Sequence, residues 1–116
     1  MCHYRHRAHH DPYINVGLQD ITVHVDFSAL ADIAKGLRLQ VMGYTQLAPF
    51  LMSLGLLEFA KSGTETTTRK QMEIAQQVKK LTLPSEMGEL FKVLAIGRGM
   101  RQALIGFSMQ DHRDRL

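Results

Sequence analysis

The sequence predicts an α/β domain, and three observations carry that expectation. Ile21, Val23, Val25 and Phe27 alternate with Thr22, His24 and Asp26, the two-residue period of a half-buried strand or extended segment. Phe50, Leu51, Leu54 and Leu57, and later Met72, Ala75, Val78 and Leu81, recur at helical spacing. Phe91 to Ile96 is an apolar run interrupted by Lys92 alone, consistent with a buried strand. The 116 residues fit one domain and leave no room for a second. With 45% apolar and 22% charged residues, the composition is that of an ordinary globular chain rather than a disordered one.

Taken in order, residues 1–19 hold no sustained period and are punctuated by Pro12, Asn15 and Gly17, so they read as an extended or looping entry. The alternating segment follows. Asp26 or Ser28 then caps a helix to about Lys35, with Leu30, Ile33 and Ala34 on one face and Gly36 as its stop. Leu37, Leu39 and Val41 alternate with Arg38 and Gln40 in a strand that ends at Gly43 or Thr45. Pro49 suits the first turn of a helix reaching Ala60. Ser62, Gly63 and three threonines make a break, after which a helix runs to about Lys80, and Pro84 stops the run. Ser85 to Glu89 reads as a turn, and Leu104 to Met109 as a last extended piece. Neither an internal repeat nor a low-complexity segment is visible.

Several function classes recede on physical grounds. No apolar run reaches the roughly 18 residues of a membrane-spanning helix, and a start carrying Arg5, Arg7 and four histidines is no signal peptide. Cys2, the single cysteine, cannot form an intrachain disulfide. A net charge of +3 with a pI near 9.2 is a small, dispersed excess, better read as a solvated basic face than as a nucleic-acid surface. Cys2, His3, His6, His9 and His10 resemble a metal cluster, yet no second cluster closes a four-ligand shell, so no metal is expected. Ile96-Gly97-Arg98-Gly99-Met100 imitates a dinucleotide fingerprint without its third glycine and reads as a turn.

Asp20-Ile21-Thr22-Val23-His24-Val25-Asp26-Phe27 and Met87-Gly88-Glu89-Leu90-Phe91-Lys92-Val93-Leu94-Ala95-Ile96-Gly97 carry a more specific signal. With Thr45 to Gly55, Leu81-Thr82-Leu83-Pro84, His6, Asp11-Pro12 and Gly17, they resemble the C-terminal region of the MidA family. That family comprises S-adenosylmethionine-dependent methyltransferases and includes a mitochondrial complex I assembly factor that methylates a protein arginine. Two positions depart from its pattern: Leu47 stands where the family has glutamine, and Val16 where it commonly has proline.

The resemblance implies the C-terminal portion of a Rossmann-like methyltransferase sheet, its last two strands antiparallel with a helical insert between them. Residues 1–116 would then be a single partial domain. The glycine-rich cofactor turn of this class is not found in the sequence, so S-adenosylmethionine is expected to be bound by the complete enzyme and not by this chain alone, which should be inactive by itself. A protein substrate, and either a missing N-terminal half or a homo-oligomer, are the implied partners, with neither nucleic acid nor membrane. The implied compartment is the cytoplasm, or the mitochondrial matrix in a eukaryote.

On this reading Asp20, Thr22, His24 and Asp26 are the candidate substrate-binding residues. A carboxylate can grip a guanidinium with two parallel hydrogen bonds, and a nearby base can help remove its proton as the methyl arrives. The structural alternative for the same residues is that Asp26 caps a helix, Thr22 satisfies a turn and His24 bonds a backbone group. The alternative function is a noncatalytic protein-interaction module that uses an apolar helical face or an uncovered sheet edge.

Overall fold

A computed structural model describes residues 1–62 and 67–116. The chain opens on a hairpin of β1 (Cys2–Tyr4) and β2 (Arg7–His9). Its two turn residues, Arg5 and His6, both have positive φ, 46° and 63°, as a turn matched to the twist of antiparallel strands requires. β3 (Asp20–Ile21) pairs antiparallel with the other edge of β1, so Cys2 lies opposite both His9 and Ile21. The Met1 amine donates to the Thr22 carbonyl at 2.7 Å and Thr22 N donates to the Met1 carbonyl at 2.8 Å, which extends the ladder by one pair. Strands of three residues are too short to show a period, and the entry segment read as a loop for that reason.

The alternating segment is strand only at Asp20–Ile21, and of its apolar side chains only Phe27 is half-buried: Val23 is 72% exposed and Val25 52%. Helix α1 (Phe27–Gly36) begins as expected, with Asp26 Oδ1 accepting from Ala29 N at 2.9 Å. Its inner face differs from the expected one, since Ala31 and Ala34 are buried while Leu30 and Ile33 are exposed. Nor does Gly36 supply the stop. Leu39 N donates to the Ala34 carbonyl and Arg38 N to that of Lys35, the Schellman pattern, with Arg38 in the left-handed position at φ 56°.

β4 (Gln40–Gln46) starts later than the periodicity suggests and runs past Gly43 and Thr45. It pairs antiparallel with β5 (Lys92–Gly97), Tyr44 opposite Leu94 and Gln46 opposite Lys92, with a bulge at Met42. Between them the expected helix from Pro49 to Ala60 is two helices, α2 (Leu47–Ser53) and α3 (Leu56–Ser62). Gly55, at φ 83°, closes α2 by donating to the Met52 carbonyl and starts α3 by accepting from Phe59 N. The expected break falls partly at residues 63–66, outside the described residues. α4 (Thr68–Thr82) forms as expected, but its inner face is Ile74, Val78 and Leu81, with Met72 and Ala75 of the predicted stripe exposed. The expected turn at 85–89 contains a single helical turn, α5 (Met87–Leu90). Residues 104–109 are not extended; Ile105–Phe107 forms a turn of 3-10 helix.

Every strand pair among the described residues is antiparallel, in two separate sheets. The β4–β5 pair with its intervening helices is therefore the part of the expected architecture that the chain displays. Its packing depends on missing side chains. A Cβ on Gly43 would strike the Phe107 ring, and one on Gly106 the Phe50 ring, while those two rings meet edge-on at 5.3 Å. Gly88 lets α5 press against the backbone at Thr82. Thr45 is 0% exposed.

The rest of the surface is open. The radius of gyration is 18.0 Å over extents of 52 × 44 × 22 Å, against about 13 Å for a compact chain of this length. The accessible surface is 9200 Å², where roughly 6,400 Å² is usual for the mass. The difference is about the size of an obligate interface.

Candidate functional site

Three elements meet around a cleft of about 500 Å³. Thr22, Val23, His24, Val25 and Phe27 form one wall, Tyr44 of β4 stands opposite, and Leu90, Phe91 and Lys92 close it where α5 runs into β5. The Phe27 ring lies 5.2 Å from that of Tyr44, tilted by 45°, and so ties the first wall to the sheet. Tyr44 is fixed from several directions. Its N–H donates to Asp111 Oδ1 at 3.3 Å, its carbonyl accepts from His112 N at 2.6 Å, and Leu94 pairs with it across the ladder. Asp111 is itself held by Arg113 Nε at 2.8 Å, and Arg113 Nη1 donates to the Val41 carbonyl at 3.3 Å. The tail thereby clamps the edge of β4 that β5 leaves open. At the other wall the Lys92 ammonium donates to the Glu89 carbonyl, and Leu47 N donates to that of Phe91 at 3.0 Å.

Of the four residues singled out from the sequence, Thr22 and His24 line this cleft. Asp20 lies in β3 opposite His3, and Asp26 turns one carboxylate oxygen to the start of α1. The expected polar row of Thr22, His24 and Asp26 is thus divided, because the chain bends into a helix at Asp26 and the cap uses the carboxylate locally. Tyr44 and Lys92 were missed as lining residues. Lys92 left a signal, being the one charge in the apolar run of β5; Tyr44 left none, since its placement depends on Asp111 and His112, more than sixty residues away.

The N-terminal histidines do not converge. His9 pairs across from Cys2 in the hairpin, while His3 occupies the alternate register position opposite Ala8 and Asp20. Among the described residues no group of three or more Cys, His, Asp or Glu side chains is placed to hold a metal ion. An S-adenosylmethionine site of the expected class requires a strand, a glycine turn and a helix in a parallel sheet. β5 ends at Gly97, and Gly99 follows at φ 67°, but the next regular element is the 3-10 turn at Ile105–Phe107. The described residues therefore contain no such strand–turn–helix unit after β5. No described helix is long and apolar enough to cross a membrane.

Residues 1–45 match a family model described as "Putative S-adenosyl-L-methionine-dependent methyltransferase". The whole chain superimposes on a crystal structure of a superfamily member and "likely methyl transferase" from Burkholderia thailandensis bound to S-adenosyl-homocysteine. The TM-score is 0.89 and the identity 43%, over 100% of this chain and 30% of that one. A native crystal structure of an uncharacterized protein of that superfamily, from the same organism, gives a TM-score of 0.88 at 43% identity, over 100% of this chain and 31% of that one. No curated protein matches. These findings support a family of S-adenosylmethionine-dependent methyltransferases. The chain spans about a third of the length of the solved relatives.

Proposed function

We propose that the chain supplies the substrate side of an S-adenosylmethionine-dependent methyltransferase that modifies a protein arginine. The observation that carries this reading is the superposition of the whole chain, at 43% identity, on part of a protein bound to S-adenosyl-homocysteine. The cofactor brings the reactive methyl, and the contribution of this chain is positioning. Thr22 and His24 contact the substrate in the cleft, and the carboxylates of Asp20 and Asp26, which do not line it, are available to the guanidinium outside it. The remaining polypeptide of the enzyme, rather than nucleic acid or membrane, covers the exposed apolar surface, and the enzyme works in the cytoplasm or the mitochondrial matrix.

A chimera provides the test. In the Burkholderia protein the matching 30% is replaced by these 116 residues, and transfer of labelled methyl from S-adenosylmethionine to cellular proteins is followed, with the label located by mass spectrometry. Label on arginine is the expected result. A folded chimera that binds S-adenosyl-homocysteine but labels no protein overturns the enzymatic reading, and label on another residue type overturns the arginine.

A further inference from the structure

The chemistry of the cleft wall is one-sided. Thr22 and Tyr44 offer hydroxyls, His24 an imidazole and Lys92 an ammonium, while the remaining lining residues are apolar. Among the described residues no carboxylate lines the cleft. Asp26 is the informative case: Val25 and Phe27 on either side of it face the cleft, yet its own side chain is turned away to Ala29 N. Lysine donates three hydrogen bonds and, among the described residues, only the Glu89 carbonyl takes one here, so the ammonium keeps donors for a ligand. A guanidinium donates only and is cationic, so it finds neither an acceptor of opposite charge nor a reason to stay beside Lys92.

We propose that this cleft is a carboxylate-binding site, with Lys92 supplying the charge and Tyr44, Thr22 and His24 the hydrogen bonds. The inference rests on the methyltransferase reading and deepens it. In such an enzyme the carboxylate comes either from an acidic side chain beside the methylated residue or from the amino-acid end of the cofactor. Tyr44 is held by bonds to both its N–H and its carbonyl, with its ring against Phe27, which gives this wall of the site its rigidity.

The experiment uses Lys92→Gln and Tyr44→Phe in the chimera, with paired arginine peptides that carry glutamate or glutamine next to the arginine. If the carboxylate is the substrate's, the glutamate peptide has the lower KM, and Lys92→Gln raises that KM about tenfold while leaving the glutamine peptide and S-adenosyl-homocysteine binding unchanged. If it is the cofactor's, Lys92→Gln weakens S-adenosyl-homocysteine about tenfold and treats the two peptides alike. Tyr44→Phe, which keeps the ring against Phe27, shifts the same quantity by a smaller factor. Unchanged binding of both overturns the proposal while leaving methyl transfer intact. Should the chimera transfer no methyl at all, the glutamate and glutamine peptides are titrated into the isotope-labelled 116-residue chain. S-adenosyl-homocysteine is titrated alongside. Shifts of the Lys92 and His24 signals with the glutamate peptide but not the glutamine peptide, or with S-adenosyl-homocysteine, support the site. Their absence in all three titrations, or equal shifts with the two peptides and none with S-adenosyl-homocysteine, overturns it.

Discussion

Residues 40–116 and residues 11–37 are built on opposite terms. The first region has a centre packed within the chain, where Phe107 fills the space over Gly43, Phe50 the space over Gly106, and the tail bonds both backbone groups of Tyr44, although Phe59, Leu90 and Ile105 at its margins are exposed. In the second, Tyr13 is 85% exposed, Val16 and Val23 72%, and Ile33 and Leu37 are exposed as well. Exposed apolar side chains at this density fit the proposal that the remaining polypeptide of the enzyme covers them. The comparison separates what this chain stabilises by itself from what it presents.

The largest effects should fall in the self-packed region. Phe107→Ala is expected to cost about 3–5 kcal/mol in urea unfolding, the usual loss for a buried aromatic. Gly43→Ala should cost about 1–3 kcal/mol by overpacking. The double variant should be less destabilised than the sum, because removing the ring makes room for the new methyl. Additive losses would break the claim that these two positions interlock.

Val23→Asp tests the other region. In the 116-residue chain it should change stability by less than about 0.5 kcal/mol, as an exposed substitution does. In the chimera it should lower the melting transition by the equivalent of about 2 kcal/mol, the scale of a buried valine lost to water. A chain that unfolds on this substitution alone would place Val23 in a core and erase the distinction.

Asp26 lies in the second region, where it caps α1 beside the cleft. Asp26→Ala should cost about 1 kcal/mol of stability and Asp26→Asn almost none, since asparagine caps nearly as well. Loss of methyl transfer by roughly tenfold in the folded Asp26→Asn chimera, about 1.4 kcal/mol, would add a charge-dependent role with substrate. Unchanged activity would leave it a cap. The smallest effect sharpens the boundary between the regions: Arg38→Gly relieves the left-handed backbone and should stabilise the chain by about 1 kcal/mol, read as a higher melting temperature.

Much of the fold was legible where local chemistry decides it. The Asp26 cap, the existence of helix α4, its stop before Pro84 and the strand β5, half-buried rather than buried, follow from spacing and capping within a few residues. Illegible features are those fixed at a distance. The apolar stripe from Phe50 to Leu57 continues across Gly55 and so hides the division between α2 and α3. Leu104 to Met109 looks extended because Phe107 is apolar, yet its position is set by Gly43 and Phe50. The alternation at 21–27 predicts a half-buried segment, whereas Ile21, Val23 and Val25 are exposed among the described residues. The candidate site shares that division: Thr22 and His24 could be picked from one segment, whereas Tyr44 and Lys92 join them only through pairings across the fold.

The clamp on Tyr44 also sets the order in which the molecule can assemble. Asp111 reaches back 67 residues to the Tyr44 amide, and β5 must first cross the intervening helices to meet the other edge of β4. Closing such loops takes entropy before any hydrogen bond returns it, and chains dominated by distant contacts fold slowly. Helices α1 and α4 can form early, but the strand at the centre of the cleft stays half-paired until residues 110–113 have arrived. For that interval β4 is an open edge, and the time the nascent chain spends in it is when it is most exposed to pairing with the wrong strand.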